Sequence, residues 1–283
     1  MLSDNFYTVE TLSDHMDAIR SRTGEIMYLI KGTESALLID TCLGVGQLRP
    51  LVESLTDLPL TVWITHGHVD HALGAPAFAD CGVYMNPVDR EFYITQTPIP
   101  VRQKYIESLL GAEPGSWADA AYVPPTAPDF FLDLHDGDVL DLGGIHAEAH
   151  ALPGHTAGTM VVLIPEERVL ITGDAANNVT FVYDEYSLPL ESYRKNLLEI
   201  AKRLEGRYDR CFIMHYTIEV AGDLLSNLIA LCDAVLTGTD DKVPFAFNGK
   251  DVCFAKAIGP DFMPLDGKAG NLVYSPMRLH ARN

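Results

Sequence analysis

The chain has 283 residues, an apolar share of 47% and a formal net charge of −19. That length and apolar share support a large buried core and exclude a disordered chain, and the longest apolar runs are far too short to span a bilayer. A chain so acidic repels nucleic-acid phosphates and anionic lipid surfaces, which argues against a nuclease or a membrane-surface role.

In chain order, apolar stretches at 26–31 and 36–40 flank Gly32-Thr33-Glu34, which predicts a β-hairpin. Leu48, Leu51, Val52 and Leu55 lie at helical spacing within 47–56. A short strand at 60–65 runs directly into His66-Gly67-His68, followed by a short helix at 74–79 and a strand at 83–85. This alternation argues for a layered α/β domain. Residues 87–127 read as a helical insert, with helices at 88–94 and 101–110 broken up by Pro98, Pro100 and the pair Pro124-Pro125. Strands resume at 138–142, 146–151, 159–164 and 169–172, then an amphipathic helix at 190–204 and a strand at 211–214. The C-terminal stretch, 219–283, reads as one long helix at 219–236 and a final strand pair at 252–257 and 271–274. We expect one domain over 1–283.

Cys42, Cys81, Cys211, Cys232 and Cys253 are scattered with no CxxC pair, and the first residues carry neither a basic nor an apolar leader segment. A cytoplasmic chain with reduced, mostly buried thiols is expected.

The densest chemistry is His66-Gly67-His68-Val69-Asp70-His71, four metal-capable side chains within six residues just after a strand. A loop can turn several of them toward one point, and imidazole nitrogen with carboxylate oxygen suits zinc and neighbouring first-row metals. His155 sits in a constrained loop, Leu152-Pro153-Gly154-His155-Thr156-Ala157-Gly158, while Asp174 and His215 each end an apolar strand. Sites in layered α/β folds gather where strands end, so the repeated pattern points to a shared site.

With these motifs in this order, the chain resembles the metallo-β-lactamase superfamily. Its HxHxDH loop is His66 to His71, its GHTxG loop is Gly154 to Gly158, its strand-end Gly-Asp is Gly173-Asp174, its last histidine is His215, and its early buried aspartate is Asp40. The resemblance implies a four-layer αββα sandwich. It also implies two zinc ions, with iron or manganese compatible with the same ligands. His66, His68 and His155 would hold the first ion, Asp70, His71 and His215 the second, and Asp174 would bridge them. Asp40 would orient the loop without binding metal. An aspartate at 174 places the chain in a glyoxalase II and lactonase-like branch. The implied function is hydrolysis of an ester, thioester, lactone or amide-like bond of a small molecule by a metal-bridging hydroxide, with Asp70 as catalytic proton carrier.

Asn177 stands where similar lactonases carry a tyrosine, so Tyr183 or Tyr186 is considered as its substitute beside an ordinary packing role. His150 is expected to be structural, and His15, His135, His146 and His280 solvated. Arg102, Lys104 and Tyr105 in the insert either cover the site and read substrate or form an ordinary surface helix. A single-iron sulfur dioxygenase and a non-catalytic metal-binding sensor of the same fold are the rival readings. No nucleic acid or membrane partner is expected, and a homodimer is left open.

Overall fold

The computed structural model describes residues 6–113, 115–259 and 263–281; residues 1–5, read above for a leader, lie outside this range. The chain divides into two compact units, one running to Glu148 and the other starting at Ala149.

The first unit is built on one seven-stranded sheet in sequence order: β1 (Tyr7–Thr11), β2 (Met16–Ser21), β3 (Ile26–Lys31), β4 (Ala36–Ile39), β5 (Leu60–Ile64), β6 (Gly82–Met85) and β7 (Leu132–Asp133). The expected hairpin is β3–β4, where Leu29 faces Leu38. Both strands are almost wholly buried, which explains their unbroken apolar sequence. From β4 onward the strands run parallel, so each needs a crossover. Helix α1 (Leu48–Leu55) provides the first and buries Leu48 and Val52, while Arg49 pairs with Glu53 on the outer face. The second crossover carries the ligand loop, α2 (Val69–Ala72) and a 3₁₀ turn at Ala75–Phe78. The third is the helical insert, α3 (Arg90–Gln96) and α4 (Ile99–Leu110). Proline in its first turn starts α4, and Gly111 at φ 58° ends it by returning its N–H to Glu107 and Ser108. The core gathers Leu29, Leu38, Val62, Ile64, Phe78 and Ile106. Each such side chain contributes about 1.5–3 kcal/mol on burial. A hairpin of β8 (Val139–Asp141) with β9 (His146–Ala151) closes this unit, and β9 crosses its boundary.

The second unit continues from β9 to β10 (Met160–Ile164), β11 (Val169–Ile171), β12 (Thr180–Val182), α5 (Leu190–Arg203), β13 (Arg210–Phe212), β14 (Glu219–Ala221), α6 (Leu224–Thr237), β15 (Val243–Phe247), β16 (Lys250–Phe254) and β17 (Leu272–Tyr274). One sheet runs β14-β13-β11-β10-β9 and another β12-β17-β16-β15. Leu163, Leu170, Ile213, Leu197 and Leu228 form the core that α5 and α6 cover.

Two sequence expectations are corrected here. The stretch at 219–236 is not one helix: Glu219–Ala221 is an edge strand on β13, and the helix begins only at Leu224. Gly222 makes the break, since a Cβ there would lie 2.6 Å from the Asp209 carbonyl oxygen. The expected final strand pair holds, with β16 antiparallel to β17, and β15 as a hairpin on β16 and β12 in parallel on β17 widen it to a four-stranded sheet. Arg102 lies on the buried face of its helix, 0% exposed, so it neither reads substrate from an open cover nor sits at the helix surface.

Candidate metal centre

In the first unit, three parallel neighbours deliver the polar side chains at their carboxyl ends. Asp40 follows β4, His66 to His71 follow β5, and Asp89 follows β6. His66 and His71 have ring centroids 4.1 Å apart, His66 and His68 4.9 Å apart. Asp70 Oδ2 lies 3.6 Å from His71 Nε2. The loop thus brings its four metal-capable residues together.

A buried network fixes them. Asp40 accepts from the Thr65 backbone N–H and hydroxyl, both at 2.7 Å, and its Oδ2 lies 2.6 Å from His71 Nδ1. The Thr65 hydroxyl oxygen also lies 3.1 Å from His66 Nδ1. Two histidines therefore turn Nδ1 toward acceptors, which presents Nε2 as the lone-pair nitrogen. The Thr41 N–H and hydroxyl both donate to the His71 carbonyl, at 2.8 and 3.0 Å. Asp40 and Cys42 take left-handed φ values of 64° and 57°, a conformation that marks functional loops when held by surrounding contacts. The Cys42 thiol donates to Glu25 at 3.6 Å, and burial pushes its pKa well up, so it serves as a protonated packing group.

The insert supports the same loop at three points. Asp89, buried, accepts from the Gly67 N–H at 3.0 Å. Phe92 packs edge-on against His68 with centroids 4.7 Å apart. Tyr105 donates its hydroxyl hydrogen to Asp70 Oδ2 at 2.6 Å. A Cβ at residue 67 would fall 2.9 Å from the Asp89 carbonyl oxygen, so this close approach requires glycine.

In the second unit, strand register does the positioning. β11 and β13 are parallel with Ile171 opposite Phe212, and Asp174 and His215 each lie three residues beyond. Equal offsets bring His215 Nε2 to 3.1 Å from Asp174 Oδ1. His155, in the loop before β10, places Nε2 3.6 Å from Asp174 Oδ2. Its Nδ1 faces the Phe181 carbonyl oxygen at 2.7 Å, and the Ser187 hydroxyl donates to its own carbonyl at 2.9 Å. Asn177 donates its amide to Asp174 Oδ1 at 3.0 Å. Gly154 is held against Tyr193, whose ring carbon would meet a Cβ there at 2.0 Å.

The remaining candidates fall in less direct places. Tyr183 is buried, packs edge-on against Phe247 and accepts from Asn248, a packing role. Tyr186 is exposed. His150 is buried on β9, Lys104 is exposed on α4, and His15 is half-buried with Nδ1 3.1 Å from the Lys31 carbonyl oxygen. The five cysteines are free, and all but Cys81 are buried. Sequence reasoning missed Asp89, the Phe181 carbonyl and the positive role of Asn177. Only Asn177, one turn after Asp174, had a spacing that could have revealed it.

The histidines and aspartates at strand ends give an α/β protein nitrogen and carboxylate donors that could hold a metal ion. The metallo-beta-lactamase superfamily profile matches residues 26–215, and the chain belongs to that superfamily. It is 31% identical over 155 residues to an uncharacterized protein of Mycobacterium tuberculosis, covering 50% of this chain and 62% of that one. It is 26% identical over 186 residues to the acyl-coenzyme A thioesterase MBLAC2 of Homo sapiens, covering 60% of this chain and 66% of the relative. Among solved structures, a metallo-beta-lactamase from Pontibacter korlensis aligns with TM-score 0.57 at 17% identity, over 79% of this chain and 97% of that one. The sec-alkylsulfatase Pisa1 from Pseudomonas sp. aligns with TM-score 0.62 at 15% identity, over 82% and 42%. These likenesses establish the α/β metallo-β-lactamase fold expected from the sequence. Among the described residues, no helix is long and apolar enough to cross a membrane.

Proposed function

We propose that the chain is a metal-dependent hydrolase that cleaves an acyl bond of a small molecule, with a thioester ranked first and an ester, lactone or amide-like bond after it. The assignment carries over the family's motif order: His66, His68 and His155 for one divalent cation, Asp70, His71 and His215 for a second, and Asp174 shared. The supporting observation is the orientation of the ligands. His66, His71 and His155 each turn Nδ1 to a hydroxyl, carboxylate or carbonyl oxygen, the arrangement that directs Nε2 to a metal. Nitrogen and carboxylate donors without a cysteine suit zinc first, and iron or manganese next.

Bound there, the cations would supply an acidified water and polarise the substrate carbonyl. The chain's own residues do the rest. Asp70 carries the proton from the attacking water toward the leaving group, and Asp40 keeps His71 and Thr65 fixed while it does so. Asn177 holds the carboxylate of Asp174 through a neutral donor, leaving its negative charge intact for the cations. The thioester ranking rests on the MBLAC2 relative, an acyl-coenzyme A thioesterase by name; the net charge of −19 bears only on the choice of a small acyl substrate over nucleic acid.

The test is metal content per chain by elemental analysis on untagged protein, with Asp174→Ala beside the parent. A panel of acyl-thioester, ester, lactone and β-lactam substrates follows. About two ions in the parent, a clear loss in Asp174→Ala and turnover of an acyl substrate are expected. One iron per chain, insensitive to Asp174→Ala, would replace the hydrolase with the single-iron sulfur dioxygenase. Absence of metal after supplemented growth would leave a non-catalytic role.

A further inference from the structure

The insert touches the ligand loop through Tyr105, and this contact carries a role that family membership does not assign. Asp70 sits on a helix of only four residues, Val69–Ala72. Asp70 is buried, at 7% exposed, and the hydroxyl of Tyr105 reaches its carboxylate at 2.6 Å from 35 residues away. A donor that short to a carboxylate is a charge-assisted hydrogen bond, roughly twice as strong as a neutral one.

Tyr105 is itself firmly placed. One turn before it, Arg102 is 0% exposed and donates Nη1 to the Val123 carbonyl at 2.7 Å, with its guanidinium 5.9 Å from the Tyr122 ring centroid. The next residue, Ile106, is fully buried in the core. Bracketed by these two anchors, the Tyr105 side chain has a fixed origin on α4, and its phenol acts as a rigid strut.

Resting on the reading of Asp70 as a ligand of the second cation, we propose that Tyr105 is a positioning residue for that carboxylate. Its O–H donation sets the rotation of the Asp70 carboxylate and engages Oδ2. The insert then acts as a brace for the ligand loop, delivered by Asp89, Phe92 and Tyr105 together.

The experiment compares the parent, Tyr105→Phe, Asp70→Asn, the double variant and Lys104→Ala as an exposed control on the same helix. Zinc is titrated against a chromophoric chelator to resolve the first and second equivalents, and kcat and KM are measured on the acyl substrate found for the parent. Phenylalanine keeps the ring and removes only the donor, so Tyr105→Phe should melt as the parent does. It should bind the first equivalent as before, weaken the second by about tenfold or more, and lower kcat with KM little changed. Added to Asp70→Asn, it should have no further effect. Lys104→Ala should match the parent throughout. If the parent binds two ions and Tyr105→Phe binds both equally well with the same kcat, the positioning role is overturned while the functional reading stands. The role is also overturned if Tyr105→Phe weakens both equivalents alike, or adds fully to Asp70→Asn. If the parent binds fewer than two ions, both fall.

Discussion

The two units hold their candidate metal ligands by different means. In the first, four metal-capable residues crowd one loop, and side chains from elsewhere fix it: Asp40, Thr65, Asp89 and Tyr105. In the second, three ligands come from separate strand ends. There the fixing atoms are largely main chain: the register of β11 on β13, the Phe181 carbonyl and the close approach at Gly154. A contiguous loop has no ladder to hold it and needs buried polar partners. Strand ends inherit their placement from the sheet. The first arrangement can be weakened one atom at a time, whereas the second yields mainly when packing or backbone is disturbed.

The largest effect should come from disturbing that packing. Gly154→Ala places a methyl 2.0 Å from the ring of fully buried Tyr193, which has no room to retreat. We expect a loss of about 3 kcal/mol by thermal or urea unfolding, characteristic of an overpacked core. A variant as stable as the parent would mean that the loop carries slack.

Next is Asp40→Asn. Asparagine tolerates the left-handed backbone at φ 64°, so the change removes charge and one acceptor while keeping shape. Zinc affinity should fall about 10–100-fold in chelator competition, the usual weight of a partner that orients a ligand. Unchanged affinity would make the His71 contact incidental.

The side-chain tie in the second unit should matter less. Asn177→Ala removes an amide that donates to Asp174 Oδ1, and we expect about a tenfold loss of zinc affinity, the low end of that range. A loss equal to that of Asp40→Asn would erase the contrast between the units.

A surface pair sets the floor. The Arg49 guanidinium grips Asp80 through two hydrogen bonds of 2.7 and 3.0 Å and holds its carboxyl below the usual value. Such a group stabilises the fold above the ordinary carboxylate pKa, and that contribution fades as pH falls through the lowered value. Asp80→Asn should therefore melt slightly below the parent at neutral pH, with the gap closing in acid and shrinking in salt.

How much was legible follows the same division. The His66 to His71 loop announced itself because its ligands are adjacent in sequence. Asp174 and His215 were legible as polar residues closing apolar strands, and His155 by the proline and glycines of its constrained loop. Asp89 was hidden because its partner, the Gly67 N–H, lies 22 residues back and meets it only through the adjacency of β5 and β6. Phe181 was hidden because a carbonyl oxygen has no side-chain signature. Asn177 was noticed only for the tyrosine it is not. Strand β14 was absorbed into a helix because the run of leucines after Leu224 extended the helical period backward across Gly222.

The bond between His155 and the Phe181 carbonyl separates two design variables. Any residue that keeps the strand at 181 supplies the same oxygen to the histidine, while its side chain decides what the aromatic cluster with Phe247 offers its surroundings. A library randomised at 181 and 247, proline omitted, would therefore vary that surface without altering the acceptor that holds His155, and its members could be sorted by substrate preference at constant ligand geometry.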